Sequence, residues 1–215
     1  MRLISVNVGQ PRFVGWKGEM IETAIFKASV AGPVVVAGTN LAGDRQADLK
    51  VHGGVDKAVY AYAAEHYPRW RSELNREDMP WGMFGENLTT EGLDESTVRI
   101  GDRLAIGTAE FEVSQPRLPC SKIGLRFGRA DMVKLFLQSR RLGFYLRVRR
   151  EGTIEAGNAI GVTAGDPAAP TIADLALLES TGRDDVTLLE RAVRAPALTE
   201  SWRQRYREQL ERIGG

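Results

Sequence analysis

Cysteine is nearly absent from this chain of 215 residues: Cys120 is the only one, and His52 and His66 are the only histidines. A single thiol excludes an internal disulfide and points to a reducing cytoplasm as the chain's setting. An excess of charge of one sign is missing too, with 29 basic residues against 28 acidic ones and a net charge of +1. That balance argues against a surface built for nucleic acid or for a membrane, although it leaves room for a local basic pocket. No apolar run approaches the roughly 18 residues that a membrane span needs, and the apolar start of "MRLISVNVGQ" is too short for a signal-peptide core. The chain has neither G-x-x-x-x-G-K-[ST] nor G-x-G-x-x-G, so nucleotide binding by those routes has no support. One cysteine and two histidines do not make an ordinary zinc site either. No internal repeat or low-complexity tract is evident.

What is present is enough apolar material, 43% of the residues, for one sizeable core. Up to about residue 165 the pattern is short strands broken by glycine turns. "LISVNV" has the alternation of a half-buried strand, and Gly32-Pro33 marks a turn before the apolar run "VVVA". Leu104 and Ile106 alternate before Gly107-Thr108, and Ala109, Phe111 and Val113 alternate after it, which predicts a hairpin. In "GFYLRVRR", Phe144, Leu146 and Val148 fall on one face, with Tyr145, Arg147 and Arg149 on the other. Two helices are expected among these strands, around Ala64–Leu74 and Asp131–Ser139. The fold class is therefore mainly β with added helices, the strands closing into a barrel over residues 1–165.

The composition changes at "GDPAAPT", and residues 166–215 read as three helices. Thr171 caps the first, Asp184 or Asp185 the second and Thr199 the third, in which Trp202, Tyr206, Leu210 and Ile213 form one stripe. A three-helix unit can be a DNA-binding helix-turn-helix. Here acidic residues interleave with the basic ones ("RQRYREQLER"), which favours a bundle docked on the barrel or on a partner subunit.

Polar residues with chemical potential gather in four places. "GDRQADLKVHGGVDKAVYAY" holds Asp44, Arg45, Asp48, Lys50, His52, the Gly53-Gly54 pair, Asp56 and Lys57. Paired glycines let a backbone approach a ligand and offer amides to an anion, and flanking lysines suit a phosphate. A hairpin with solvated charges is the plainer reading of that segment. "PWGMFGENLTTEGL" places Glu86 and Asn87 after a tight turn, either to satisfy backbone donors or to touch a ligand. "RRLGFYLRVRREG" presents Arg147 on the polar face of a strand, where most arginines are merely solvated.

The fourth place, "SQPRLPCSKIG", is the cysteine's own. A lone cysteine is commonly a small buried apolar residue. This one lies instead in a stiff loop, between Pro119 and Ser121, with Arg117 and Lys122 nearby. Prolines pre-set the backbone, and neighbouring cations favour the thiolate. A thiolate can attack an electrophile with His52 as base, His66 being the more structural of the two histidines. It can also ligate a metal that brings its other ligands with it.

Taken in order, "GDRQADLKVHGGVDKAVYAY", "HYPRW", "MPWGMFGENLT", "VRIGDRLAIG", "EVSQPRLPCSKI" and "GFYLRV" resemble the MOSC family, named for the molybdenum cofactor sulfurase C-terminal domain. The resemblance runs over residues 1–165 and is to the YiiM-like bacterial branch, which carries a three-helix appendage. It implies a β-barrel that binds the molybdenum cofactor (molybdopterin), with Cys120 as the molybdenum ligand. It implies reduction of N-hydroxylated small molecules such as hydroxylaminopurines, hydroxylamines and amidoximes, fed by a separate flavin or iron–sulfur reductase. On that reading His52 is the proton donor, with Lys57 or Asp56 sharing the role. Lys50, Arg117, Lys122 and Arg147 contribute charge to the cofactor's phosphate and pterin, the Gly53-Gly54 amides assist, and Glu86 and Asn87 are further contacts. A non-redox carrier of the cofactor or of a persulfide on Cys120 is the alternative, and a cysteine hydrolase dependent on His52 is a third class. The amphipathic tail suggests a homodimer. Asn158 stands where this branch often has aspartate, a change that still allows a turn cap.

Overall fold

A computed structural model describes residues 1–48 and 53–215. Thirteen strands lie among the described residues: β1 (Arg2–Val8), β2 (Arg12–Trp16), β3 (Glu19–Thr23), β4 (Ala28–Ser29), β5 (Val34–Ala37), β6 (Asn40–Leu41), β7 (Val59–Ala63), β8 (Leu88–Glu91), β9 (Arg103–Ile106), β10 (Ala109–Pro116), β11 (Phe144–Arg150), β12 (Gly152–Ile154) and β13 (Ile160–Thr163). Eight of them form one sheet in the order β13-β9-β10-β11-β7-β8-β1-β4. All its pairings are antiparallel except β7 with β8. The start of β1 returns to the far edge through an Arg2–Ala159 bridge, with Leu3 N donating to Asn158 O and Ile160 N to Met1 O. The sheet thereby curls into the expected barrel, closed by a short bridge instead of a long ladder. The hairpin at Gly107-Thr108 forms as its alternation predicts, with Phe111 opposite Leu104.

Six α-helices accompany the strands among the described residues: α1 (His66–Leu74), α2 (Ser121–Phe127), α3 (Met132–Ser139), α4 (Ile172–Ser180), α5 (Val186–Arg194) and α6 (Glu200–Gly214). Thr171 and Asp174 form a reciprocal capping box on α4, Asp185 caps α5 by accepting from Leu188 N, and Thr199 stands at the N-cap of α6. None of the described helices is long and apolar enough to cross a membrane.

The apolar side chains divide into two clusters. One fills the barrel and runs without a break into α4–α6, joining Leu3, Phe111 and Leu146 to Leu175, Leu189 and Tyr206. The other is aromatic and sits under α1–α3. There Tyr62 meets Phe84 at 4.5 Å between ring centroids, and Trp70 stacks on Phe136 at 5.9 Å. Such pairs add about 0.5–1.5 kcal/mol each beyond their burial, so this cluster makes a firm base for whatever lies above it.

Candidate active site

Cys120 does not sit in a free-running loop: it is the N-cap residue of α2, in extended conformation, with Ile123 N donating to its carbonyl at 3.0 Å. The turn between β10 and α2 therefore holds the half-buried sulfur at a helix start, where the peptide dipoles favour negative charge. It lines a cavity that opens to solvent. The walls come from Thr23 at the end of β3, from Ala24, Ile25 and Lys27 after it, from residues 44–48, and from Lys57, Tyr60, Gly85 and Asn87. Arg117, Lys122 and Tyr145 complete them. Five cationic side chains (Lys27, Arg45, Lys57, Arg117, Lys122) face it against two carboxylates (Asp44, Asp48), so the cavity suits an anion.

Arg117 is 5% exposed, and its guanidinium carbon lies 5.4 Å from the Tyr60 ring and 5.3 Å from the Phe136 ring. Burial works against its charge, but the oxygens of Tyr60 and Tyr145 and the sulfur of Cys120 prevail and raise its pKa. The same burial raises the pKa of Tyr145, which Arg117 opposes. Arg117 Nη1 is buried with no hydrogen-bond partner among the described residues. A buried donor left in that condition costs about 1–3 kcal/mol. Its backbone is fixed from behind: Arg117 N donates to Gly143 O at 3.2 Å, and Gly143 N donates to Glu95 Oε1 at 2.8 Å. Glu95 Oε2 in turn pairs with His66 Nε2 at 2.7 Å. His66 thus braces the wall from outside, and no histidine lines the cavity among the described residues.

On the opposite wall Asp44 Oδ1 accepts from Gly9 N at 2.8 Å and from the Lys27 ammonium, and Oδ2 accepts from Asn87 Nδ2 at 2.9 Å. Asn87 Oδ1 accepts from Tyr60 N at 3.1 Å. Burial pulls the pKa of Lys27 down despite Asp44. Burial also lowers that of Lys57, against the attraction of Asp56.

Of the residues singled out from the sequence, the structure brings Cys120, Arg117, Lys122, Lys57 and Asn87 together around this cavity. Five others stand elsewhere. The Arg147 guanidinium is occupied by the Asp56 carboxylate, by Glu112 Oε1 at 2.8 Å and by Ala197 O at 2.7 Å. Asp56 is thereby turned to Arg147 and away from the cavity. Glu86 accepts from Gly82 N at 2.8 Å, Phe84 N at 3.1 Å, Thr89 Oγ1 at 2.9 Å and the Tyr67 hydroxyl. It holds the 82–86 turn and leaves the cavity to Asn87, while burial raises its pKa. Gly54, at φ +94°, starts the 3₁₀ turn Val55–Lys57, and neither it nor Gly53 lines the cavity. Lys50 and His52 lie outside the described residues.

Lys27, Tyr60 and Tyr145 are site residues that the sequence reading passed over. Tyr60 and Tyr145 are direct partners across β7 and β11, a register that no local pattern reveals. Lys27 was detectable only as a charge interrupting the run "AIFKASVAG".

The family model described as "MOSC domain" matches residues 48–161. The chain is 37% identical over 211 residues to the uncharacterized protein YflK of Bacillus subtilis, covering 98% of this chain and 95% of that one. It is 36% identical over 163 residues to a Gibberella moniliformis protein named "Reductase", covering 74% of this chain but 29% of that longer protein. Among solved structures, YiiM from Geobacillus stearothermophilus superposes with a TM-score of 0.81 at 34% identity, over 97% of this chain and 98% of that one.

Proposed function

The chain belongs to the MOSC domain family, and from this we propose that it is a molybdenum-cofactor-dependent reductase of N-hydroxylated compounds. The observation that carries the reading is the pairing, in one cavity, of the chain's single thiol with the orphaned donor of Arg117. A pterin dithiolene with a phosphate needs one further sulfur for its metal and cations for its phosphate, and the donor set fits both demands. Cys120 would ligate the metal. Arg117 and Lys122, with Lys27 beyond them, would hold the anionic end, and Asn87 would fix the wall. When bound, the group supplies a redox metal able to deliver two electrons to an N–OH bond.

Reduction of N–OH to N–H also consumes two protons and releases water. Lys57 is our donor, since it lines the cavity and burial makes its ammonium more acidic. Asp56 is tied to Arg147 and would act only by orienting the turn that carries Lys57. One cysteine cannot hold an iron–sulfur cluster, and in this reading a flavin or iron–sulfur reductase supplies the electrons.

The test is molybdenum content and hydroxylaminopurine reduction, with a chemical electron donor, in protein from a host that makes the cofactor. Stoichiometric molybdenum and turnover, both lost in Cys120→Ser, are the expected result. Molybdenum-free protein carrying a persulfide on Cys120 would sink the reductase and favour a sulfur carrier.

A further inference from the structure

Outside the cavity, three arginines converge with no carboxylate within ion-pairing distance of any of them among the described residues. Arg12 places its guanidinium carbon 4.0 Å from the centroid of Phe26, and Arg126 places its own 4.8 Å from the same ring. Arg76 lies 5.8 Å from the ring of Phe127, the residue after Arg126. Arg126 Nε is buried with no hydrogen-bond partner among the described residues, whereas Arg76 Nε donates to Asp78 O at 3.0 Å. Burial lowers the pKa of Arg126; Glu86 attracts it from a distance, and Arg12 and Arg76 repel it. By contrast Arg2, Arg129, Arg141, Arg147, Arg191 and Arg205 each have a carboxylate partner.

The cluster is continuous with the cavity. Arg126 lies one helical turn beyond Lys122 on the same side of α2, and Lys122 is a wall residue. Phe26 lies between Ile25 and Lys27, both wall residues. Three guanidiniums exceed what one carboxylate can neutralise, and their forked donors match a tetrahedral dianion.

We propose that Arg12, Arg76 and Arg126, grouped around Phe26 and Phe127, bind the phosphate of a phosphorylated substrate whose N-hydroxylated part occupies the cavity. The anion site stands on these arginines alone; that its phosphate belongs to a substrate rests on the reductase reading. Phosphate monoesters of N-hydroxylated nucleosides are the substrate class this selects.

Calorimetric titration of the cofactor-free full chain at low salt tests the site, using inorganic phosphate and adenosine 5′-monophosphate, with adenosine as the uncharged control. The monophosphate is expected to bind measurably more tightly than adenosine. Arg126→Gln is expected to weaken it by about tenfold or more, because a hydrogen bond to a charged group is lost. Arg126→Lys is expected to recover part of the loss, and denaturant midpoints check that both variants fold. In the loaded enzyme, Arg126→Gln should lower by a similar factor the kcat/KM ratio of an N-hydroxylated nucleoside monophosphate over its nucleoside. Unchanged monophosphate affinity in a folded Arg126→Gln overturns the site. Loss of molybdenum in that variant, with substrate preference unaltered, also overturns the proposal, since the arginines would then serve the cofactor. If the chain proves not to be a reductase, the titration still decides whether the anion site exists.

Discussion

Arg117 is the residue whose environment is best explained by use. A cation buried between two rings, with one donor unmet, is held at some cost to stability, whereas a structural arginine such as Arg147 is paired with the Asp56 and Glu112 carboxylates. Arg117→Met is therefore expected to leave the unfolding midpoint unchanged or slightly raised, while molybdenum retention falls by about tenfold or more. Denaturant titration alongside metal analysis checks this, and a midpoint that collapses would make Arg117 structural. Lys27 gives a second residue-level expectation. Its folded pKa lies below its ordinary value of about 10.4, so between the two the unfolded chain holds the extra proton. Stability from this group thus rises with pH across that alkaline window and is lost as pH falls through the folded value. Lys27→Met should flatten the alkaline part of a plot of urea midpoint against pH, and an identical slope in both proteins would refute it. Asp44→Ala should cost about 3–5 kcal/mol, because it strands that buried ammonium.

Among elements, the start of β11 does the most to place the site. Gly143 has φ +64°, and a Cβ there would lie 2.4 Å from Ala61 O, while its own amide and carbonyl hold Glu95 and Arg117. Gly143→Ala should cost about 3 kcal/mol or more, against about 1 kcal/mol for Gly128→Ala, where φ is +69° but nothing lies within 4 Å. Equal midpoints for the two variants would show that crowding at Gly143 is absent. The strands were legible because alternation survives in short stretches, as in Leu104, Ile106, Phe111 and Val113. Helix α2 was not, because its buried residues Ile123, Leu125 and Phe127 fall at every second position, a strand's period, and Gly124 lies among them. What fixes the helix is its hydrogen bonding, ended by Gly128 at positive φ. The site divides in the same way. Arg117, Cys120 and Lys122 lie on one stretch and could be read together, whereas Lys27, Tyr60 and Tyr145 meet only through pairings remote in sequence.

At the scale of the whole molecule, the helical tail completes the barrel's interior. Ile172, Leu175, Leu189 and Ala192 are fully buried and belong to the same cluster as the barrel's Leu3, Phe111 and Leu146. Backbone bonds knit the join: Ile100 N donates to Pro170 O, Ile172 N to Val98 O and Ala173 N to the carbonyl of Glu95, the residue that braces Gly143. Arg147 adds a tie from β11 to Ala197 O. Burying a large apolar side chain is worth about 1.5–3 kcal/mol, and a whole domain's stability is about 5–15 kcal/mol. Loss of these contacts would therefore consume most of that margin, and the nearness of Glu95 to the join would loosen Arg117 first. A chain ending at residue 165 is expected to lack a cooperative unfolding transition and to retain no molybdenum. Adding residues 166–215 as a separate peptide should restore neither fully, since the two pieces must then associate against the entropy of binding. Far-ultraviolet circular dichroism against temperature reads the first outcome, and metal analysis the second. A truncated chain that melts sharply near the full-length temperature would make the barrel an independent unit, with the helices merely docked upon it.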